Sequence, residues 1–223
     1  MDVLYTNPVS SGARAVMIAA EELAIELDQR LEPDWQRRRE FLALSPEGRV
    51  PVLINQAHAV LSGAVPILEY WLEDHDARAD LFGATAETRA ESRRLLQWFL
   101  VKFEEEVARL LVEEKILKRL VKGSTPDTPV LRAGQHNLRI HLRYLDYLAE
   151  RRHYLAGDRF GLADIAAAAA LSLTDYLGDV PWSDHPGAKD WYMRVKSRRS
   201  VRHLLSQRLP GLAPPAHYAR PDF

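Results

Sequence analysis

The apolar residues of this chain change rhythm near residue 80. Before that point they come in short clusters broken by turn residues, and after it they recur every three or four positions over long stretches. Such a change joins two kinds of structure in one chain, a small sheet with crossing helices and then a set of long helices.

In the first half, Val3-Leu4-Tyr5 is a short apolar run stopped by Thr6-Asn7-Pro8, and it reads as a buried strand. Ala13, Val16, Met17, Ala20 and Leu23 mark one face of a helix, after which Ile25-Glu26-Leu27 alternates as a second strand. Strand, helix and strand in that order imply a right-handed parallel crossover. After a polar, mobile stretch from Asp28 to Arg39 comes a short helix around Glu40-Phe41-Leu42-Ala43-Leu44, ended by Ser45-Pro46-Glu47-Gly48. Val50 to Ile54 and Ala59 to Leu61 are β-rich and separated by Asn55-Gln56-Ala57-His58, which suits an antiparallel hairpin. A helix with Ile67, Leu68, Trp71 and Leu72 completes a βαβαββα unit, expected over residues 1–78.

In the second half, Leu95, Phe99, Phe103, Val107 and Leu111 stand at four-residue steps in a helix expected from Thr85 to Leu120. Gly123 to Pro129 breaks it, and Leu138, Leu142, Leu145 and Ala149 define a second, antiparallel helix. Five consecutive alanines, Ala166 to Ala170, lie within a helix from Asp164 to Leu177, and small side chains there let helices approach closely, as in a buried central helix. Ala188 to Arg198 and Val201 to Leu205 are further helices, making residues 85–208 an all-helical domain. Residues 209–223 carry Pro210, Pro214, Pro215 and Pro221, which a helix cannot hold, and read as an extended C-terminal tail.

Composition limits what such domains do. Lys and Arg total 30 against 31 Asp and Glu, so the net charge of -1 offers no field for nucleic acid or anionic lipid. Zero cysteines removes disulfides, thiolate nucleophiles and thiolate metal sites together. With no basic leader and no run of about 18 apolar residues, the reading is a cytoplasmic protein without membrane insertion. His136 and His141 miss the i, i+4 spacing of a helical metal pair, and no metal is expected. Glu104-Glu105-Glu106, Arg37-Arg38-Arg39 and the basic run from Lys196 to Arg202 read as solvated faces.

Four segments together resemble the glutathione transferase superfamily. They are Leu4-Tyr5 through Asn7-Pro8-Val9-Ser10-Ser11 to Leu23; Glu40-Phe41-Leu42 with Gly48-Arg49-Val50-Pro51-Val52-Leu53; Phe160-Gly161-Leu162-Ala163-Asp164; and Trp191, Met193 and Lys196-Ser197-Arg198. The resemblance implies a thioredoxin-like N-terminal domain, a C-terminal helical bundle and a homodimer. It also implies a cis Pro51, with the Val50 backbone free to bind an extended, peptide-like ligand, and Ser10 or Ser11 beside Arg14 as the hydroxyl that activates a glutathione thiol. Spacing favours Ser10, although either serine equally suits a helix N-cap. Asp164 is read as structural, at the start of a buried helix.

The departures decide how the resemblance is used. Where the superfamily places an acidic residue and a serine for the γ-glutamyl end of glutathione, this chain has Gly63 and Ala64. Each lost charge-assisted contact is worth roughly 1.5 to 3 kcal/mol. Trp35 in the polar stretch, and Tyr218, Arg220, Asp222 and Phe223 in the tail, are candidate partner anchors. Tail and departures together resemble the bacterial division-site branch of the superfamily, which binds the tubulin-like GTPase FtsZ. The expectation is a cofactor-free protein at the division site that binds FtsZ filaments and regulates constriction. The alternative is an enzyme using glutathione with Ser10 as activator.

Overall fold

The computed structural model describes residues 1–75, 81–209 and 211–223. The expected end of the first domain at 78, and Pro210 in the tail, lie outside the described residues.

Four strands, β1 (Asp2–Thr6), β2 (Leu27–Leu31), β3 (Val52–Ile54) and β4 (Val60–Ser62), form one sheet in the order β2-β1-β3-β4. Strand β1 is parallel to β2, with Leu4 opposite Gln29, and antiparallel to β3, with Leu4 opposite Leu53. Helices α1 (Ser11–Glu22) and α3 (Ala64–Asp74) bring Ile18, Ile67 and Trp71 into one core with Leu4 and Leu53. Phe41 of α2 (Arg39–Leu44) packs with Ala13, Val50 and Val52 in a separate small cluster. The expected order of elements is therefore present, and the long polar stretch contains one of them.

That stretch is where the sequence reading fails locally. The second strand is Leu27–Leu31 rather than Ile25-Glu26-Leu27. Ala24 takes a positive φ of 54°, and the Ile25 N–H still bonds back to the Ala20 carbonyl at 2.9 Å, so the helix exit consumes the expected strand start. The real strand lies on the sheet edge with one neighbour, where ladder bonds hold it and polar side chains face water.

The second half starts at α4 (Ala86–Gln97), capped by reciprocal bonds: the Thr88 N–H donates to Thr85 Oγ1 (3.2 Å) and the Thr85 N–H to Thr88 Oγ1 (3.1 Å). The helix runs unbroken to Val121, with wide π-type turns on either side of a short α5 (Arg109–Val112). A strict four-residue apolar step overshoots an α-helical face by about 40° each time, and wider turns bring it back. Leu95, Phe99, Phe103, Val107 and Leu111 are accordingly all no more than 1% exposed.

Helix α6 (Thr128–Ala149) packs against that long helix, and every residue of α7 (Leu162–Tyr176) is buried, against α1 and α4 among others. Helices α8 (Pro186–Lys196) and α9 (Arg202–Ser206) follow. The missing hydroxyl cap at Gly161 has a steric cause: a Cβ there would lie 2.5 Å from the Leu81 carbonyl oxygen. Asp164 supplies the other half of the cap. Its Oδ2 accepts from the Gly161 N–H at 3.1 Å, and its Oδ1 from the Leu155 N–H (3.0 Å) and Trp191 Nε1 (2.8 Å).

The tail is not extended. It turns back onto the helical half, so that Tyr218 is 0% exposed. Lys196 also departs from expectation, being fully buried at the end of α8 rather than part of a solvated basic run. Among the described residues, no helix is long and apolar enough to cross a membrane.

Candidate functional site

A cleft of about 620 Å³ opens between the two halves. One wall is built by the turn after β1, the segment around Asp34 and Trp35, the loop carrying Val50 and Pro51, and the start of α3; the other is the long helix, from Leu100 to Leu117. Helix α1 packs on α7 behind the cleft.

Ser10 lines the cleft at the start of α1. Its Oγ accepts from the Ala13 N–H (3.2 Å) and donates to the Val50 carbonyl (3.3 Å). A hydroxyl has one proton, and here that proton is engaged by a carbonyl. Ser10 thus takes the N-cap role that competed with thiol activation from the start. Ser11 does not face the cleft; it is 1% exposed within the first turn of α1.

The Val50–Pro51 peptide bond is cis. Both Val50 backbone groups already have partners within the chain, however. Its carbonyl is taken by Ser10 and its N–H donates to Asp34 Oδ2 at 3.3 Å. Asp34 is further held by Asn7 Nδ2, 2.9 Å from Oδ1, while Asn7 Oδ1 receives the Val9 N–H at 3.1 Å. Burial raises the Asp34 pKa, opposed by the Val50 N–H. An internal carboxylate therefore occupies the hydrogen-bonding edge that an extended ligand would use.

Sequence reading missed Asp34 because a Pro-Asp-Trp turn in a polar stretch carries no periodic signal. It also misplaced Glu104. This residue lines the cleft, half-buried, and burial raises its pKa, against the Ser11 hydroxyl and the positive charges of Arg49 and Arg109. The available clue was its place directly after Phe103, on the edge of the apolar stripe. Arg37, Arg49 and Arg109 join Asp34, Glu47, Glu104 and Glu113 to give the cleft mixed charge.

Gly63 and Ala64 stand at the cleft wall where α3 begins. Gly63 has a φ of 91°, a left-handed conformation that side-chain-bearing residues rarely adopt. Trp35 is 37% exposed on the cleft rim. Arg220 and Asp222 are exposed, Phe223 is half-buried, and Tyr218 is interior. Arg14 is likewise interior, at 1% exposure, because its guanidinium bonds inward rather than toward the cleft. The tail residues and Trp35 thus do not form one contiguous exposed set with Arg14 and Tyr218. Among the described residues, no group of three or more His, Cys, Asp or Glu side chains could hold a metal ion.

The glutathione S-transferase N-terminal domain matches residues 4–79, and the glutathione S-transferase C-terminal domain matches residues 96–199. The chain is 44% identical over 223 residues to FtsZ-localized protein A of Caulobacter vibrioides, covering 99% of this chain and 97% of that one. It superposes with a TM-score of 0.95 on a glutathione S-transferase from Sinorhizobium meliloti, at 43% identity and 100% coverage of both. On FzlA from C. crescentus the TM-score is 0.93, with 43% identity and 100% and 99% of the two chains covered. A sheet, cleft and helical half of this kind, matched along the whole length at such identity, mean that the chain belongs to the glutathione S-transferase superfamily.

Proposed function

We propose that this chain is a non-catalytic binding protein that engages FtsZ filaments and regulates constriction, acting as a homodimer at the division site. The observation that carries the reading is the 44% identity, over nearly all of both chains, to a relative named for its localisation with FtsZ.

The cleft supports the non-catalytic part. To bind there, glutathione would have to displace Asp34 from the Val50 N–H, and would then meet Gly63 and Ala64, which offer its charged end no side-chain partner. Two missing charge-assisted contacts of roughly 1.5 to 3 kcal/mol each lower affinity by two to four decades. Trp35, on the cleft rim, and the exposed tail residues Arg220 and Asp222 are the proposed contact residues, with Phe223 half-buried in the tail. Aromatic and arginine anchors of this kind carry most of the energy of protein contacts.

The purified protein should co-sediment with GTP-assembled FtsZ and change filament shape; no effect on either overturns the reading. Trp35→Ala should weaken pelleting at least about tenfold, the scale of a buried aromatic anchor, without shifting the melting temperature. Light scattering tests the dimer. The competing reading, a glutathione transferase, draws on the placement of Ser10 in the cleft. Calorimetric titration with glutathione separates the two: saturable binding favours the transferase, and its absence together with FtsZ pelleting favours the binding protein.

A further inference from the structure

The chain ends on a docked segment, and that segment reaches the cleft through a buried cation. The Arg14 Nε donates to the Pro8 carbonyl at 2.9 Å, inside the turn that leads to Val9 and Ser10. Its Nη1 donates to Ser172 Oγ at 2.8 Å and to Tyr218 Oη at 3.2 Å. These acceptors are one carbonyl and two hydroxyls. With its Nη2 already without a hydrogen-bond partner, this buried guanidinium depends on the neutral acceptors that remain, since each further charged donor left alone away from water is costly.

Tyr218 is the tail's contribution to this set. Its hydroxyl also donates to the Leu204 carbonyl at 3.1 Å, and its ring meets Tyr176 edge-on, centroids 5.0 Å apart. The apolar cluster around Tyr218 takes in Leu173, Tyr176, Leu205 and Leu209, and Val9 and Leu117, which both line the cleft, pack against it. The tail therefore reaches the turn by polar contact through Arg14, and shares with Val9 an apolar cluster to which Val112 and Ile116 of the long helix also belong.

Further contacts hold the tail in place. Tyr176 Oη donates to the Leu212 carbonyl at 2.7 Å. Lys196 Nζ, buried 3.5 Å from Asp175, donates to the His217 carbonyl at 3.1 Å and lies 4.3 Å from the centre of the Phe223 ring. His217 Nε2 is 2.8 Å from Asp175 Oδ1, and Phe223 stacks on the His217 ring at 4.9 Å.

We propose that the C-terminal tail is a latch whose docking sets the shape of the cleft: Tyr218 positions Arg14, and Arg14 positions the turn of residues 7–10. Tail docking and cleft geometry are then one equilibrium. Releasing the tail strips Arg14 of an acceptor and removes Tyr218 from the apolar cluster that Val9 packs against, and the turn loosens. By the reciprocity of linked equilibria, an occupant that shifts the turn weakens the tail's hold to the same degree. Arg14 and Tyr218 are positioning residues in this device. The coupling is a property of the chain alone, so it stands or falls apart from the identity of any partner.

Hydrogen exchange read by mass spectrometry tests it on three proteins: the full chain, Tyr218→Phe, and a chain ended after Pro215. The reporters are the amides of Val9, Ala13 and Arg14, bonded respectively to Asn7 Oδ1 (3.1 Å), Ser10 Oγ (3.2 Å) and the Ser10 carbonyl (3.0 Å). Both variants should speed exchange over residues 7–14 by about threefold or more, a local opening, while the β3–β4 hairpin keeps its rate. Tyr218→Phe removes one hydroxyl and keeps the ring, so it decides the matter alone if the shortened chain fails to fold. Unchanged exchange over 7–14 overturns the proposal, as does an acceleration shared equally by the hairpin.

Discussion

Asp164→Asn is a one-atom change at a position that ties three parts of the helical half together. Burial pushes the Asp164 pKa up from the usual 3.8 to about 6, although its carboxylate accepts from the Leu155 and Gly161 N–H groups and Trp191 Nε1. A raised folded-state pKa means that the folded protein binds more protons than the unfolded chain between those two values. Stability contributed by this group is thus fully present below about pH 3.8 and is lost as pH rises through about 6, by about 3 kcal/mol in all. Roughly half of that loss falls between pH 5.0 and 7.5. Asn cannot titrate. It keeps an acceptor for Leu155 and Trp191 but turns an N–H₂ toward Gly161 in place of Oδ2, at a cost of about 1 to 3 kcal/mol that does not vary with pH. Urea unfolding of both proteins at the two pH values should therefore show the wild type ahead at pH 5.0 and that lead shrinking by about 1 to 2 kcal/mol at pH 7.5. Other titrating groups are common to both proteins and cancel in the difference. A lead that stays constant, or grows with pH, would falsify the assignment of a raised pKa and mean that the three donors outweigh burial.

Gly161→Ala would set a methyl group 2.5 Å from the Leu81 carbonyl oxygen, and backbone on both sides cannot yield cheaply. A loss of about 2 kcal/mol or more in urea unfolding is expected, and an unchanged midpoint would show that the two segments are not packed this closely. Glu104→Gln should raise the melting temperature more at pH 8 than at pH 5, because burial lifts the Glu104 pKa and its stability contribution falls as pH rises. A larger gain at pH 5 than at pH 8 reverses the sign and contradicts it.

The parts of this molecule that were legible in the sequence are those where one periodic face meets a core. The four-step stripe from Leu95 to Leu111, the alanines of α7 and Leu53 of the hairpin, opposite half-buried Leu61, declare their place by spacing. The illegible parts obey other rules. Strand β2 is held by backbone ladder bonds on a sheet edge, and with Asp28, Gln29 and Arg30 between its two leucines it carries no apolar alternation. Lys196 and Arg14 are cations inside the protein, stabilised by aromatic rings, hydroxyls and carbonyls brought from distant segments, and spacing along the chain records none of those partners. Tyr218 looked like a free anchor because its neighbours are prolines, yet it is the polar handle on a buried ring that docks the tail.

The candidate site shows the same division. Gly63 and Ala64 could be read directly, since an absent side chain is visible in a sequence. The closure of the Val50 edge could not, because it needs Asp34 and Ser10 to converge from opposite sides of a turn. That convergence changes the weight of the evidence from the two small residues. Missing contacts alone would leave a cleft that one or two substitutions could adapt to glutathione. A cleft whose single recognition N–H is also satisfied internally charges any extended ligand the cost of breaking that hydrogen bond before its own can form. Restoring only the γ-glutamyl contacts at positions 63 and 64 should therefore fall short of full glutathione affinity, and recovery should require releasing Asp34 as well.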